Sequence, residues 1–306
     1  MTMHLTTLLD WEAERIRELL ALAGELKARA AEGTLAPALQ GRTLALVFEK
    51  RSMRTRVSFE VAMTQLGGHA VYLSREDVNL GVREPIKDGA RVLSRYVDAI
   101  AARVQSHETV EELAAYATVP VINALSDRAH PCQALADALT IQEHFEGAEA
   151  VKVAFIGDAN NVARSLAVVC ARLGLDYVIA SPPDYGFDAE FAARLGELAS
   201  ASGGSFSCVC SPQEAAEGAD VLYTDVWISM GQEAEAQERR RAFAGFCIDD
   251  ALLAAAPDHA IVMHDLPAHR GEEITDSVIE GAHSAVFDQA ENRLHAERAV
   301  LQMLIG

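Results

Sequence analysis

The chain has 306 residues, half of them hydrophobic, and its 45 acidic and 26 basic side chains give a formal net charge of -19. Such a charge repels nucleic acids and anionic membranes, so neither is expected as a partner. Residues Met1 to Asp10 lack the basic and apolar regions of a signal peptide, and no apolar run approaches membrane-spanning length. The five cysteines show no paired C-x-x-C spacing. We therefore predict a cytoplasmic protein with reduced, mostly buried cysteines.

Helix and strand patterns alternate along the chain. A long amphipathic helix is predicted over Leu9 to Ala31, where apolar residues recur at helical spacing among many charges. Four strands are predicted after it, at Thr43 to Phe48, Ala70 to Leu73, Ala99 to Ala102 and Val119 to Asn123. A helix from Pro131 to Glu146 leads to five further strands, at Val151 to Ile156, Tyr177 to Ala180, Ser205 to Val209, Val221 to Tyr223 and Ala260 to Met263.

This alternation predicts an α/β fold with two doubly wound lobes. The length is sufficient for two domains, each burying its own core. In each lobe, helices should cover both faces of a mostly parallel sheet. Ligands of such sheets bind beyond the carboxyl ends of the strands, so we expect an active-site cleft between the lobes.

The segment from Phe48 to Glu60 concentrates cations and hydroxyl groups in an otherwise acidic protein. It begins at the end of a predicted strand, and Val57 to Leu66 has helical spacing, so Ser52 to Thr55 fall where a helix begins. Free backbone amides, hydroxyl donors and a guanidinium at a helix N-terminus suit a phosphate group. The alternative interpretation is a capped helix with a solvated basic edge.

A second polar segment runs from Leu125 to Gln133, directly after a predicted strand. Pro131 suits the first turn of a helix, which places His130 and Gln133 near the helix start and facing the cleft. Both side chains can hydrogen-bond to a carbonyl group, although an isolated histidine at such a position is also common as a structural residue. Arg103 follows a neighbouring apolar strand, where a guanidinium is costly unless it meets an anion or a carboxylate.

Five ordered segments resemble the aspartate and ornithine carbamoyltransferase family, and they span the chain from Phe48 to the final helix. Ser52-Met53-Arg54-Thr55-Arg56 resembles the phosphate loop Ser-Thr-Arg-Thr of the family, and His130-Pro131-Cys132-Gln133 resembles its His-Pro-x-Gln element. Three further segments favour the ornithine branch. They are Asp225 to Gly231, similar to its Asp-x-x-x-Ser-Met-Gly loop, His264 to Gly271, similar to its His-Cys-Leu-Pro segment, and Phe287 to Arg293.

The resemblance implies that residues 1–146 bind carbamoyl phosphate, with the C-terminal helix 289–306 packed back on them, and that residues 147–288 bind ornithine. The implied carbamoyl-phosphate site comprises Ser52, Met53, Arg54, Thr55, Arg103, His130, Gln133, Leu266 and Arg293. The implied ornithine site comprises Asn161, Asp225, Ser229, Met230 and Asp265, and the implied catalytic set is Arg103, His130, Gln133, Asp265 and Arg293. The family needs no metal and no organic cofactor. It forms trimers, so a homotrimer or a multiple of trimers is expected.

The implied reaction transfers the carbamoyl group of carbamoyl phosphate to the side-chain amine of L-ornithine, giving L-citrulline and phosphate, with arginine biosynthesis as the expected role. Two positions depart from the family pattern: Met53 replaces a threonine, and Asp265 replaces the cysteine of the ornithine branch. A carboxylate beside Asp225 should favour a cationic substrate group, but also its protonated, non-nucleophilic form. Two alternatives to this function follow. The protein transfers the carbamoyl group to a different amine, or it is a catalytically silent relative that binds phosphate metabolites or has a regulatory role.

Overall fold

The computed structural model of the protein describes residues 2–146, 150–229 and 232–306. Two compact units divide the chain: Met1–Leu139 together with Glu291–Gly306, and Thr140–Ala290. Each unit is built on its own parallel sheet. Within the described ranges, no helix combines the length and the apolar character needed to cross a bilayer.

The first unit contains a four-stranded sheet in the order β2-β1-β3-β4, in which all neighbouring strands are parallel. The strands are β1 Thr43–Phe48, β2 His69–Ser74, β3 Ala99–Arg103 and β4 Val121–Leu125. The helices that begin in this unit are α1 Ala13–Ala31, α2 Met53–Gln65, α3 Arg75–Val78, α4 Ile86–Leu93, α5 His107–Tyr116 and α6 Pro131–His144. The central strands β1 and β3 are buried almost throughout, which accounts for their uninterrupted apolar sequences.

The second unit contains a five-stranded parallel sheet in the order β7-β6-β5-β8-β9. The strands are β5 Lys152–Ile156, β6 Asp176–Ala180, β7 Phe206–Val209, β8 Val221–Thr224 and β9 Ile261–His264. The remaining helices are α7 Asn161–Leu173, α8 Ala189–Ser202, α9 Pro212–Ala216, α10 Ala236–Ala242, α11 Asp250–Leu253, α12 Asp276–Ile279 and α13 Val286–Ile305. The predicted fold class, two α/β lobes with parallel sheets covered by helices, is confirmed.

The strand order reverses once in each sheet. From β1 the chain continues to β2 on one side and then crosses to β3 on the other, and from β5 it continues through β6 and β7 before crossing to β8. Ligands of open α/β sheets bind beyond the carboxyl ends of the strands at such switch points. The loops that follow β1 and β3, and those that follow β5 and β8, are therefore the expected ligand-binding positions.

Several predicted boundaries differ from those of the structure, and two of the differences have an identifiable local reason. The helix predicted over Leu9 to Ala31 is divided, because Trp11 adopts an extended backbone (φ -101°, ψ 131°) after a short 3-10 turn. The indole Nε1 of Trp11 donates to the carbonyl of His4 at 3.1 Å, which fixes this break. Strand β4 begins two residues later than predicted, at Val121, because the preceding Pro120 has no amide to donate to a ladder.

The prediction that most cysteines are buried is also wrong. All five are free thiols, but only Cys132 and Cys170 are buried. Cys208 and Cys210 are exposed because β7 is the edge strand of its sheet, with both central residues open to solvent. An apolar sequence around these cysteines therefore did not indicate a buried strand.

Candidate active site

The first switch point lies between β1 and β3, whose last residues, Phe48 and Arg103, are paired in register. The loop after β1 leads into α2, which has Ser52 as its N-cap. The Ser52 hydroxyl accepts a hydrogen bond from the Thr55 amide at 3.3 Å. The predicted anion-binding segment therefore forms the N-terminus of a helix of 13 residues, where the helix dipole favours negative charge.

Two arginines converge on the hydroxyl group of Thr55. Arg103 Nη1 and Arg293 Nη2 each lie 3.3 Å from Thr55 Oγ1. The exposed fraction is 7% for Arg103, 4% for Arg293 and 1% for Thr55, so the three side chains form a buried cluster. Two guanidinium groups that meet at one buried hydroxyl offer charged donors in a confined space, so this cluster suits a negatively charged ligand.

Met53 and Arg54 occupy the first turn of α2, beside this cluster. Met53 is 72% exposed, so its side chain lies away from the buried arginines. A methionine side chain also has no donor, which leaves the backbone amide of Met53 as its contribution to an anion site. Arg54 is half-buried, and its carbonyl accepts a hydrogen bond from Ser58 Oγ at 2.8 Å.

His130 and Gln133 reach the same cluster from the loop after β4 and the start of α6. Gln133 Oε1 accepts a hydrogen bond from Arg293 Nη1 at 2.7 Å. Burial, together with the charges of Arg293 and Arg103, holds the pKa of His130 well below its ordinary value. The imidazole is therefore neutral at physiological pH, and it can act as a hydrogen-bond donor without carrying a charge.

The turn before His130 is fixed by Asn123 in β4. Asn123 Nδ2 donates to Ser126 Oγ at 3.0 Å and to the carbonyl of Ala129 at 3.3 Å. The Ser126 amide donates to the same Ala129 carbonyl at 2.9 Å, which closes the turn. The buried side-chain amide of Asn123, on a strand of the first sheet, thus fixes the turn that positions His130.

Two buried carboxylates in this region are absent from the predicted site. Gln133 Nε2 donates to Asp137 Oδ1 at 2.8 Å, and Arg293 Nη2 donates to Glu297 Oε1 at 2.8 Å. Both carboxylate side chains have an exposed fraction of 0%. Each follows its partner by four residues on the same helix, so the (i, i+4) spacing is the sequence signal that could have identified them.

The second switch point lies between β5 and β8. The loop after β5 leads into α7, whose N-cap is Asn160: its Oδ1 accepts from the amides of Val162 and Ala163, each at 3.0 Å. Asn160 Nδ2 donates to Asp225 Oδ2 at 2.7 Å. Asp225 directly follows β8 and is 7% exposed. Asn160 is not among the predicted site residues, but it links the two loops and orients the Asp225 carboxylate.

The other residues of the predicted ornithine site follow the same two strands. Asn161 is the first residue of α7 and is half-buried. Ser229 lies in the segment after Asp225, also half-buried, and its amide donates to Gln232 Oε1 at 3.0 Å. Met230 falls outside the described residues, so its role stays a prediction.

Strand β9 ends at His264, whose ring is held on both sides. The ring Nε2 lies 3.0 Å from Glu273 Oε1, and Nδ1 accepts from the amide of Leu266 at 2.9 Å. These two contacts require the tautomer with its proton on Nε2. The amide of His269 donates to the same oxygen of Glu273 at 2.5 Å. One buried carboxylate therefore anchors both ends of the segment that contains Asp265.

Leu266, in the second unit, has a left-handed backbone with φ of 58°. A leucine adopts this conformation only when its surroundings impose it. The contacts of His264 and Glu273 supply that constraint. The backbone of Leu266 is therefore held in one defined orientation.

Asp265 lies beside Asp225. Carboxylate oxygens of these two residues and a ring nitrogen of His264 all lie within 4.8 Å of one another. Adjacent carboxylates favour a cation between them. Because both ring nitrogens of His264 are already engaged, a metal ion could use this histidine only by displacing an existing contact. The cluster therefore suits an ammonium group better than a transition metal.

A second group of possible ligands, His269, Glu272 and Glu273, also lies within 4.8 Å. Its carboxylates already have partners, since Glu272 Oε1 accepts from Arg240 Nε at 3.0 Å and Glu273 holds His264. Ion binding here would compete with these contacts. We assign this group a structural role.

The segment after Ser229 is connected to the second switch point by a buried ion pair. Arg239 of α10 donates to Asp158, in the loop after β5, and is 4% exposed. Burial raises the pKa of Asp158 to about 6, although the Arg239 charge opposes the shift, and the charge of Asp225 adds to it. Asp158 and Asp225 thus share one acidic environment at this switch point.

Comparison with known proteins identifies the family of the chain. Residues 3–143 match the family described as aspartate/ornithine carbamoyltransferase, carbamoyl-P binding domain, and residues 149–304 match its Asp/Orn binding domain. The chain belongs to the aspartate/ornithine carbamoyltransferase family. The family predicted from the sequence motifs is therefore confirmed.

Relatives within this family are similar over nearly their whole length. The chain is 56% identical to the ornithine carbamoyltransferase of Halalkalibacterium halodurans, over 98% of this chain and 94% of that protein. The solved structure of ornithine carbamoyltransferase from Pyrococcus furiosus has a TM-score of 0.96 at 53% identity, covering 99% and 97% of the two chains. The anabolic ornithine carbamoyltransferase from Campylobacter jejuni has a TM-score of 0.94 at 42% identity, covering 99% of both chains.

Proposed function

We propose that this protein transfers the carbamoyl group of carbamoyl phosphate to the side-chain amine of L-ornithine, giving L-citrulline and phosphate. The observation that carries the proposal is the buried convergence of Arg103 and Arg293 on Thr55, with neutral His130 and Gln133 in the same cluster. Similarity to ornithine carbamoyltransferases, at 56% identity for the Halalkalibacterium halodurans protein and 53% for the Pyrococcus furiosus protein, supports ornithine as the acceptor.

In this proposal the first unit binds carbamoyl phosphate. The phosphate is held at the N-terminus of α2 by Ser52, the Met53 amide, Arg54, Thr55 and Arg103. His130, Gln133 and Arg293 contact the carbamoyl end, and the contact implied for Leu266 stays a prediction. Charge-assisted donors at a helix N-terminus are the groups that recognise phosphate most strongly.

The second unit binds ornithine. Asp225, oriented by Asn160, and Asp265 form the anionic end of the site and attract an ammonium group. Asn161, Ser229 and Met230 supply neutral groups for the amino-acid carboxylate. A site with anionic and neutral polar ends suits a zwitterion with a cationic side chain.

The chemistry follows from these contacts. The neutral side-chain amine attacks the carbonyl carbon, a C–N bond forms, and negative charge develops on the carbonyl oxygen near His130 and Arg293. Fixed donors at that position lower the barrier, each by about 3 kcal/mol. The bond from carbon to the bridging oxygen then breaks, and its electron pair leaves with phosphate, while the amine nitrogen loses its extra proton to phosphate or solvent. Arg103 stabilises the charge on the leaving group.

A second candidate is carbamoyl transfer to a different amine. The observation in its favour is Asp265, which places a second carboxylate beside Asp225 and so changes the charge offered to the acceptor. A longer diamino acid or a diamine would meet the same pair of carboxylates. The catalytically silent alternative leaves unexplained why a neutral histidine and a glutamine accompany the buried arginines.

The location, the assembly and the metabolic direction are parts of the same proposal. Five free thiols suit the reducing cytoplasm.

Exposed apolar side chains on α2 and the edge strand β2, which are Met53, Val57 and Val71, suit a surface that is covered in a trimer. Light scattering should then give a multiple of three times the chain mass of 32.9 kDa. Arginine biosynthesis is the proposed role, which the similarity to the anabolic ornithine carbamoyltransferase of Campylobacter jejuni supports.

The experiment is steady-state product formation from carbamoyl phosphate with ornithine, lysine, putrescine and aspartate in parallel, between about pH 6 and about pH 10. Citrulline from ornithine, at a kcat/KM well above that of the other amines, is the expected result. Activity with another amine alone would favour the second candidate. Phosphate release that no added amine accelerates would favour the silent relative.

A further inference from the structure

Arg293 and Glu297 form a fully buried ion pair one helical turn apart on α13. Arg293 Nη2 donates to Glu297 Oε1 at 2.8 Å, and the side-chain exposed fractions are 4% and 0%. The same guanidinium also donates to Gln133 through Nη1 and to Thr55 through Nη2. Glu297 is therefore the anionic contact of a guanidinium whose other contacts are neutral residues of the candidate active site.

The surface of α2 carries a matched pair that isolates the effect of burial. Arg56 and Glu60 have the same residue types, the same order and the same spacing, and their closest nitrogen and oxygen atoms are also 2.8 Å apart. Their side chains are 46% and 36% exposed, however. An exposed pair of this kind contributes little to stability. The buried pair on α13 must also overcome the cost of removing two charges from water, which makes stability a poor reason for its presence.

The network around Arg293 indicates what the buried pair does. With Gln133 on one nitrogen and Glu297 and Thr55 on the other, two of the donor groups of the guanidinium are fixed in direction. The Nε–H of Arg293 has no hydrogen-bond partner among residues 2–146, 150–229 and 232–306. A buried donor without a partner is costly, so this geometry presents a donor that a ligand oxygen would satisfy.

We propose that Glu297 is a positioning residue for carbamoyl transfer, whose buried carboxylate holds the Arg293 guanidinium in the orientation that meets the carbamoyl group. This inference rests on the proposed function, because the contact of Arg293 with the carbamoyl group belongs to that proposal. Glu297 itself touches neither substrate. Its effect passes entirely through Arg293.

Glu297 can also change its charge near neutral pH. Burial raises its pKa to about 7, while the charge of Arg293 and the hydroxyl of Ser58 oppose the shift. The groups that face Glu297 are Arg293 on its own helix, Ser58 on α2 and the Cys132 thiol on α6, which stays protonated because burial raises its pKa. Below about pH 7 the carboxyl group is protonated, and above it the carboxylate is ionised and holds Arg293 by charge. Positioning should therefore improve as the pH rises through this value.

The test uses two substitutions and one control in the full-length protein. Glu297→Gln keeps an oxygen acceptor for Arg293 but cannot ionise, so it should reproduce protonated Glu297 at every pH. Its kcat should equal that of the unmodified protein near pH 6 and fall to about one-tenth of it near pH 9. Glu297→Leu removes the acceptor as well, and its kcat should be about 100-fold lower at both pH values. Glu60→Gln, the exposed match, should leave kcat unchanged throughout.

The ratio of the Gln variant to the unmodified protein is decisive because ornithine titrates identically in both assays. A general loss of folding would lower this ratio equally at both pH values, so the pH dependence separates positioning from a structural role. A ratio that does not change between about pH 6 and about pH 9 overturns the inference, even if Glu297→Leu does not fold. So does a Glu297→Leu protein that folds and retains kcat within about twofold.

A binding measurement keeps the inference separate from the proposed function. Inorganic phosphate bound near Arg293 should raise the pKa of Glu297 further, because it adds negative charge beside the carboxylate. Calorimetry at about pH 7, in buffers of different ionisation enthalpy, measures the protons taken up on binding. The unmodified protein should take up more protons than Glu297→Gln. This difference does not require turnover. If the unmodified protein makes no citrulline, the proposed function is wrong. If the two proteins take up equal numbers of protons, the role of Glu297 is wrong, whatever the citrulline assay shows.

Discussion

The polar clusters of the two units differ in how their charges are balanced. In the first unit, Arg293 is paired with the buried carboxylate of Glu297. In the second unit, two carboxylates, those of Asp225 and Asp265, lie within 4.8 Å of each other, and Asp225 accepts a hydrogen bond from the neutral amide of Asn160. The first cluster is therefore arranged by charges within the protein, whereas the second gathers like charges.

This difference indicates how each cluster recognises its ligand. A balanced cluster has its donors oriented before the ligand arrives, which favours stabilisation of a transition state. A cluster of like charges gains most when a cation enters it, which favours binding. We therefore expect substitutions in the first unit to lower kcat, and charge-removing substitutions in the second unit to raise KM for the amine.

The largest effect is expected from Arg103→Gln. The substitution removes one of two guanidinium groups that converge on Thr55, so the phosphate loses a charge-assisted donor. We expect kcat/KM for carbamoyl phosphate to fall by about 100-fold to 1,000-fold, with little change in KM for ornithine. Steady-state kinetics with each substrate varied in turn measures both values.

Arg42→Gln is the control for that substitution. Arg42 precedes the amino end of β1 and pairs with Asp98 at 2.7 Å on the surface, far from the carboxyl ends of the strands. It should retain full kcat/KM. If Arg103→Gln also retains kcat/KM within about tenfold, the buried arginines are not the phosphate site.

The second effect is expected from Asp225→Asn. This change keeps the shape of the side chain and an acceptor for Asn160, but it removes the charge that attracts the ammonium group. KM for ornithine should rise about 100-fold, a loss of about 3 kcal/mol, while KM for carbamoyl phosphate should stay the same. An equal increase in both KM values would mean that Asp225 supports the fold instead of binding the amine.

The smallest effect is expected from Asp265→Cys, which restores the residue of the ornithine branch. Removing the second carboxylate weakens the stabilisation of the protonated amine, so the reactive neutral form appears at lower pH. The pH optimum of citrulline formation should move down by about one unit, or turnover at neutral pH should rise. An unchanged optimum and an unchanged turnover would contradict this role of Asp265. A lower turnover of Asp265→Cys would also contradict it, because it would indicate that the Asp265 carboxylate serves as the base.

Much of the architecture follows from local sequence patterns. The strand predicted at Thr43 to Phe48 is found with the same boundaries, because an apolar run is bounded by charged and polar residues on both sides. The predicted helix start is also correct, because Ser52 has the side chain that caps a helix. Both signals depend on neighbouring residues alone.

The site is predictable only in part, because some contacts depend on tertiary structure. Asn160 and Asn161 are adjacent and chemically alike, and only the geometry of the cap shows that Asn160 contacts Asp225. Glu273 contacts His264 from a segment without regular secondary structure, so no periodicity indicates the pair. Glu297, by contrast, follows Arg293 at helical spacing and could have been identified.

The central claim is that the arginine cluster of the first unit activates carbamoyl phosphate for transfer to ornithine. The most direct test measures citrulline and phosphate in the same reaction, for the unmodified protein and for Arg103→Gln. The account predicts equal amounts of the two products, dependent on ornithine, with both rates lowered together by the substitution. Phosphate release without citrulline, or citrulline formation that Arg103→Gln leaves unchanged, would contradict it.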